Sequence, residues 1–124
     1  MKHLFLAVCL LLCSGALTAQ TLNIIPTPQH TEVGQGHFTF NANTRLAYKH
    51  KEAKEVAQYF AQKIQRTAGF PLRKGKMGAA GTITLEMDAS IKGREAYQLT
   101  ITSDRVVAKA STADGLFYAV QSLL

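Results

Sequence analysis

Val56, Phe60 and Ile64 fall four residues apart in a chain whose other apolar residues mostly alternate. That change of period constrains the fold more than any other feature of the sequence. Across the stretch 52–68, EAKEVAQYFAQKIQRTA, Ala53, Ala57, Ala61 and Ala68 widen one apolar stripe. Lys54, Gln58, Gln62 and Gln65 fall mainly elsewhere. The pattern predicts a helix with one buried face. Gly69 supplies its C-terminal cap and Pro71 prevents continuation.

On either side the period is two. TITLEM at 82–87 places Ile83, Leu85 and Met87 on one face. YQLTIT at 97–102 does the same with Tyr97, Leu99 and Ile101, and RVVAKA at 105–110 with Val106, Ala108 and Ala110. Ser103-Asp104 closes the last two into a tight hairpin. RLAYK at 45–49 reads as a short strand, and LRKGKMGAAG at 72–81 as a flexible loop. IIPTPQ at 24–29 is extended, because its prolines lack ladder donors. HTEVGQGHFTFN at 30–41 reads as a hairpin, with Phe38 and Phe40 alternating beyond Gly34-Gln35-Gly36. A second helix begins at the capping box Ser111-x-x-Asp114 and carries Leu116, Phe117, Val120, Leu123 and Leu124 as its stripe. The expected fold is α+β: a largely antiparallel sheet with two helices packed on one face.

The first residues stand outside this plan. MKHLFLAVCLLLCSGALTAQ has Lys2 and His3, an apolar run from Leu4 to Leu12, then small residues. That is the pattern of a secretory signal peptide over residues 1–19. The run is shorter than the roughly 20 residues a membrane span needs. Cleavage is expected after Ala16, with Ser14 at −3, or after Ala19. Acylation at Cys13 ranks lower, because bulky Leu12 precedes it. Both cysteines, Cys9 and Cys13, lie in this leader. The exported domain, residues 20–124, therefore relies on its core rather than on disulfides.

Nothing in the sequence assembles a catalytic or metal site. His30, His37 and His50 are dispersed, with no H-x-x-H or Cys-His spacing for zinc. GKMGAAG at 75–81 lacks the order of a phosphate-binding loop, and a strand rather than a helix follows it. Glu86 and Asp88 share the polar face of their strand, and Glu95 precedes the next strand. Solvated carboxylates are expected there, not a glycosidase pair. Ser111 and Ser122 have neither a nucleophile elbow nor a partnered histidine. The net charge is +6, but the basic residues are scattered and not interleaved with aromatics. A solvated surface fits better than a nucleic-acid partner. No catalytic, cofactor-binding or metal-binding residue is assigned.

Residues 93–124, GREAYQLTITSDRVVAKASTADGLFYAVQSLL, resemble the end of the N-terminal domain of bacterial β-N-acetylhexosaminidases of glycoside hydrolase family 20. Gly93, Glu95, Tyr97 and Leu99 match the pattern Gly-x-Glu-x-Tyr-x-Leu. Gly115, Phe117, Tyr118, Gln121 and Leu123 match Gly-x-Phe-Tyr-Gly-x-Gln-Thr-Leu. Ala119 stands where glycine is usual and Ser122 where threonine is usual. The opening IIPTPQ is similar as well.

The resemblance implies a leading, non-catalytic domain followed by a (β/α)8 barrel that would cover Leu123 and Leu124. It implies retaining, substrate-assisted removal of terminal N-acetylhexosamine from glycans. In that chemistry the acetamido oxygen attacks the anomeric carbon, an Asp orients it, and a Glu protonates the leaving oxygen. Both carboxylates belong to the barrel, so none transfers to a position here. The implied partners are that barrel and a glycan, with no cofactor, no nucleic acid and no membrane once the leader is removed. Two other readings stay open. One is the leading domain of a family 84 N-acetylglucosaminidase, which shares the Tyr-x-Leu and Gly-x-Phe-Tyr-Gly features. The other is a free-standing secreted carbohydrate-binding module, disfavoured by the lack of tryptophan.

Overall fold

A computed structural model describes residue 24 and residues 27–124. The leader, both cysteines, and Ile25 and Pro26 of IIPTPQ lie outside the described residues. Residues up to Val33 form one unit and Gly34–Leu124 another. In the first, His30 and Glu32 are in hydrogen-bond contact at 3.2 Å. The second contains every regular element among the described residues.

Its order is β1 (Arg45–Tyr48), α1 (Lys51–Ala68), β2 (Arg73–Lys74), β3 (Thr82–Met87), β4 (Tyr97–Ile101), β5 (Arg105–Ala110) and α2 (Ala113–Gln121). The fold is α+β: two helices and one five-stranded sheet of order β2-β1-β3-β5-β4. The sheet is mixed, not largely antiparallel. β1 runs parallel to both β2 and β3, β3 runs parallel to β5, and β4–β5 is the antiparallel pair. Alternation reveals which residues share a face, but not strand direction. Direction follows the connections. The 18-residue α1 carries the chain from β1 back to a parallel neighbour, and β4 lies outside β5 instead of between β3 and β5.

The expected faces are present. Leu46, Ile83, Leu85, Val106, Ala108 and Ala110 join Ala53, Val56, Phe60 and Ile64 of α1 and Leu116 and Val120 of α2 in one core. α1 ends at Gly69 in the left-handed region, φ +80°, whose N–H donates to the Gln65 carbonyl. The stretch 30–41 forms no strand. Phe38 and Phe40 pack on the core instead, and Phe40 sets its ring at 75° to Phe60 with centroids 6.4 Å apart. Their alternation thus serves packing without a ladder partner.

The connection 75–81 is not a free loop. It crosses the opposite face of the sheet as a strap, and the two-residue β2 immediately precedes it. Gly75 N–H donates to the Leu46 carbonyl at 2.9 Å, and Gly78 N–H to Thr84 Oγ1 at 3.1 Å. Arg105 Nη1 donates to the Gly78 carbonyl. Ala47, Thr82 and Thr84 are buried on this face. A Cβ on Gly75 would lie 2.8 Å from Arg45 Cβ and 3.0 Å from Thr82 Cγ2, so only glycine lets the strap approach this closely.

The cap of α2 also differs from expectation by one residue. Thr112, not Ser111, has the extended N-cap geometry, and its Oγ1 accepts from Gly115 N–H at 3.1 Å. Asp114 falls within the first turn and turns outward to Arg94 at 2.7 Å.

Candidate functional site

The side chains considered for chemistry lie apart, and Glu86 and Asp88 among them are already engaged. Glu86 faces Lys109 across the β3–β5 pair, 3.2 Å from its Nζ. Asp88 accepts from Ser90 N–H and Oγ, bonds that lower its pKa. Asp104 accepts from the Arg105 guanidinium and from Thr102, and its pKa falls to about 2. A general acid for glycoside cleavage needs the opposite displacement. Among the described residues, no three His, Cys, Asp or Glu side chains could hold a metal ion.

The residues that carry the family resemblance converge on the seat of α2. Thr112 Oγ1 donates to the Arg94 carbonyl, and Arg94 Nε donates to Asp114. This ties the loop before β4 to the helix N-terminus. A Cβ at Gly115 would lie 2.5 Å from the Ala96 carbonyl oxygen and 2.8 Å from Ala110 Cβ. Position 115 therefore admits only glycine while α2 sits this close to the sheet. At the other end, the Tyr97 hydroxyl lies 2.7 Å from Ser122 Oγ, and Ser122 Oγ donates to the Tyr118 carbonyl at 3.2 Å. Since the Ser122 hydrogen is used there, Tyr97 donates to Ser122. Gln121 Nε2 donates to the Tyr59 hydroxyl at 2.9 Å and joins α2 to α1. Both ends of α2 are thus fixed by side chains.

Three half-buried aromatics meet where the two helices run side by side. Tyr59 and Phe117 have ring centroids 5.1 Å apart, Phe117 and Tyr118 6.0 Å, and Lys63 Nζ lies 5.9 Å from the Tyr59 ring centre. Leu123 is half-buried against the core, whereas Leu124 is 51% exposed.

Two hollows lie elsewhere on this unit. One, of about 290 Å³, is lined by Phe38, Asn41, Asn43, Thr44, Ser103 and Asp104 among others. The other, of about 550 Å³, lies beside the strap between Arg45, Lys74 and Lys76, with Thr82 in its lining. In sequence these cations are scattered. The parallel β1–β2 pairing brings Arg45 opposite Arg73 and draws them together.

The model of the family described as "Glycosyl hydrolase family 20, domain 2" matches residues 21–124. The chain belongs to glycosyl hydrolase family 20. Its relatives include the N,N'-diacetylchitobiase of Vibrio harveyi, 29% identical over 101 residues. That match covers 81% of this chain and 11% of the relative. The family 20 β-N-acetylhexosaminidase of Streptomyces coelicolor A3(2) superposes with a TM-score of 0.74 at 29% identity, over 81% of this chain and 20% of that one. The family 20 exo-β-N-acetylglucosaminidase of Vibrio harveyi shares the fold with a TM-score of 0.70 at 23% identity, over 81% and 15%. The chain therefore spans between a tenth and a fifth of the length of these relatives. The match is to domain 2 of family 20, so the family 84 reading gives way.

Proposed function

We propose that residues 20–124 are the accessory domain of an exported β-N-acetylhexosaminidase, delivered to the periplasm or cell exterior by the leader at 1–19. The whole enzyme would remove terminal N-acetylhexosamine from glycans with retention, through substrate-assisted attack by the acetamido group. The names of the relatives, a chitobiase, an exo-β-N-acetylglucosaminidase and a β-N-acetylhexosaminidase, support this substrate class. The chemistry would reside in a barrel of roughly 250 residues that follows this domain. What this chain contributes is position. Its role is to brace that barrel and to lead the polypeptide into the first barrel strand along a fixed line.

The observation that carries this reading is the lock on α2, to which Tyr97, Gly115 and Gln121 of the family pattern contribute. Tyr97–Ser122 and Gln121–Tyr59 hold the C-terminal end of the helix, and Thr112 and Gly115 hold its start. The half-buried Tyr59, Phe117 and Tyr118 give the helix layer an apolar surface for the barrel to cover.

Two measurements test it. The reading frame beyond Leu124 should encode the barrel, with adjacent Asp and Glu late in one strand. Purified residues 20–124 should release no p-nitrophenol from its N-acetyl-β-glucosaminide above the buffer rate, and the longer protein should turn it over. A stop codon at 125, or turnover by residues 20–124 that Glu86→Gln or Glu95→Gln abolishes, overturns the proposal.

A further inference from the structure

Charge is unevenly divided between the two halves of the sheet. Residues 34–85 carry nine cations: Arg45, Lys49, Lys51, Lys54, Lys63, Arg66, Arg73, Lys74 and Lys76. Against them stand two carboxylates, Glu52 and Glu55, and none lies between Glu55 and Glu86. Residues 86–124 carry four cations, Lys92, Arg94, Arg105 and Lys109, against five carboxylates, Glu86, Asp88, Glu95, Asp104 and Asp114. The strand order puts the first group's strands, β2 and β1, at one edge of the sheet.

At that edge the hollow beside the strap has a cationic rim. Arg45 Nη1 donates to the Lys74 carbonyl at 3.3 Å, which orients the guanidinium and leaves its other donors free. Lys74 and Lys76 flank it and Arg73 pairs with it across the strands. None of these four takes part in an ion pair among the described residues, whereas Arg94, Arg105 and Lys109 of the other half all do. A concave site lined by one sign of charge focuses the field and draws in ions of opposite sign. Guanidinium and ammonium groups together suit sulfate or carboxylate oxygens.

We infer that the groove formed by Arg45, Lys74 and Lys76 beside the strap is a secondary binding site for anionic glycan, the sulfate- or carboxylate-bearing stretches of an N-acetylhexosamine polysaccharide. The inference rests on the glycosidase reading for its sugar class. The groove itself supplies the demand for negative charge. Its lining contains no aromatic side chain on which nucleic-acid bases could stack. The site would hold a charged polymer near the enzyme while its terminal residue is processed elsewhere.

The test is binding of the full-length protein to immobilised chondroitin sulfate, hyaluronan, an uncharged chitooligosaccharide and duplex DNA over a range of salt concentrations. The variants are Lys74→Gln/Lys76→Gln, Arg45→Gln and the charge-matched Lys54→Gln/Lys92→Gln. The wild type should bind the anionic glycans in preference to the uncharged one and to DNA. Preference for chondroitin sulfate over hyaluronan assigns sulfate as the ligand group, and equal binding assigns carboxylate. The dependence of log affinity on log salt should become shallower in Lys74→Gln/Lys76→Gln, because two fewer cations pair with the polyanion. It should stay unchanged in Lys54→Gln/Lys92→Gln. No binding to either anionic glycan, equal losses in the two charge-matched pairs, or equally tight binding of DNA overturns the inference. Release of p-nitrophenol from the uncharged aryl glycoside, measured on the same samples, separates the two proposals. Turnover without anionic-glycan binding defeats the groove alone, and binding without turnover defeats the glycosidase reading alone.

Discussion

On the helix side of the sheet, Ile83, Leu85, Val106 and Ala108 share one core with Phe60, Leu116 and Val120. On the other side, Thr82 and Thr84 lie beneath the backbone of a glycine-rich strap. All these side chains are sealed from solvent to the same degree. The means differ. The helix side is closed by apolar area, which has no direction and tolerates exchange among residues of similar volume. The strap side is closed by a backbone that must satisfy its own polar groups and pass within contact distance of a strand. One Cβ or one hydroxyl matters there in a way it does not beneath a helix.

Five substitutions probe this contrast. Phe60→Ala on the helix side should cost roughly 3–5 kcal/mol in a denaturant titration, since the ring is fully buried. Lys54→Ala, on the exposed face of the same helix, should stay within about 0.5 kcal/mol. Equal effects from the two would mean that apolar area does not hold the helix layer on the sheet.

Gly75→Ala adds a single methyl group to the strap and should cost about 1–3 kcal/mol, because neither Arg45 Cβ nor Thr82 Cγ2 can give way without moving a strand. If chemical denaturation shows no loss, the strap does not lie as close to the sheet as its hydrogen bonds place it.

Thr84→Val and Thr82→Val make the finest test, because the same chemical change on the same face should have opposite signs. Thr84 Oγ1 accepts the Gly78 N–H, and losing it should cost about 1–2 kcal/mol. Thr82 Oγ1 is buried without a hydrogen-bond partner, so its removal should be neutral or stabilise by up to about 1 kcal/mol. Melting temperatures that fall equally in both variants would show that side-chain shape, not hydrogen bonding, governs this face.

Much of this contrast could be read from residues alone, but only on one side. The spacing of Val56, Phe60 and Ile64 identified the buried stripe of α1, and Ile83, Leu85, Val106 and Ala108 identified the face it covers. Apolar periodicity records burial directly, because each turn of helix or pair of strand residues returns a side chain to the same side. The strap side has no such record. Thr82 and Thr84 read as solvent-facing positions, since what buries them is the backbone of residues six and seven positions away and not a complementary side chain. The lock on α2 was half legible. Tyr97, Gly115 and Gln121 stood out through the family pattern, but their partners Ser122, Ala96 and Tyr59 become visible only when α2 is laid on the sheet.

The sequence by itself determined the number of helices, the faces they bury, the Gly69 stop and the membership in a family. These depend on local spacing, backbone preference and short motifs that need no partner from elsewhere in the chain. Tertiary structure decided the directions of the strands, the choice of Thr112 over Ser111 as cap, the strap, and the gathering of Arg45, Lys74 and Lys76 at one edge. Each of these depends on which segment lies beside which. Parallel pairing of β1 with β2 and β3 follows from the path of α1 and of the strap, and alternation looks the same whichever way a strand runs.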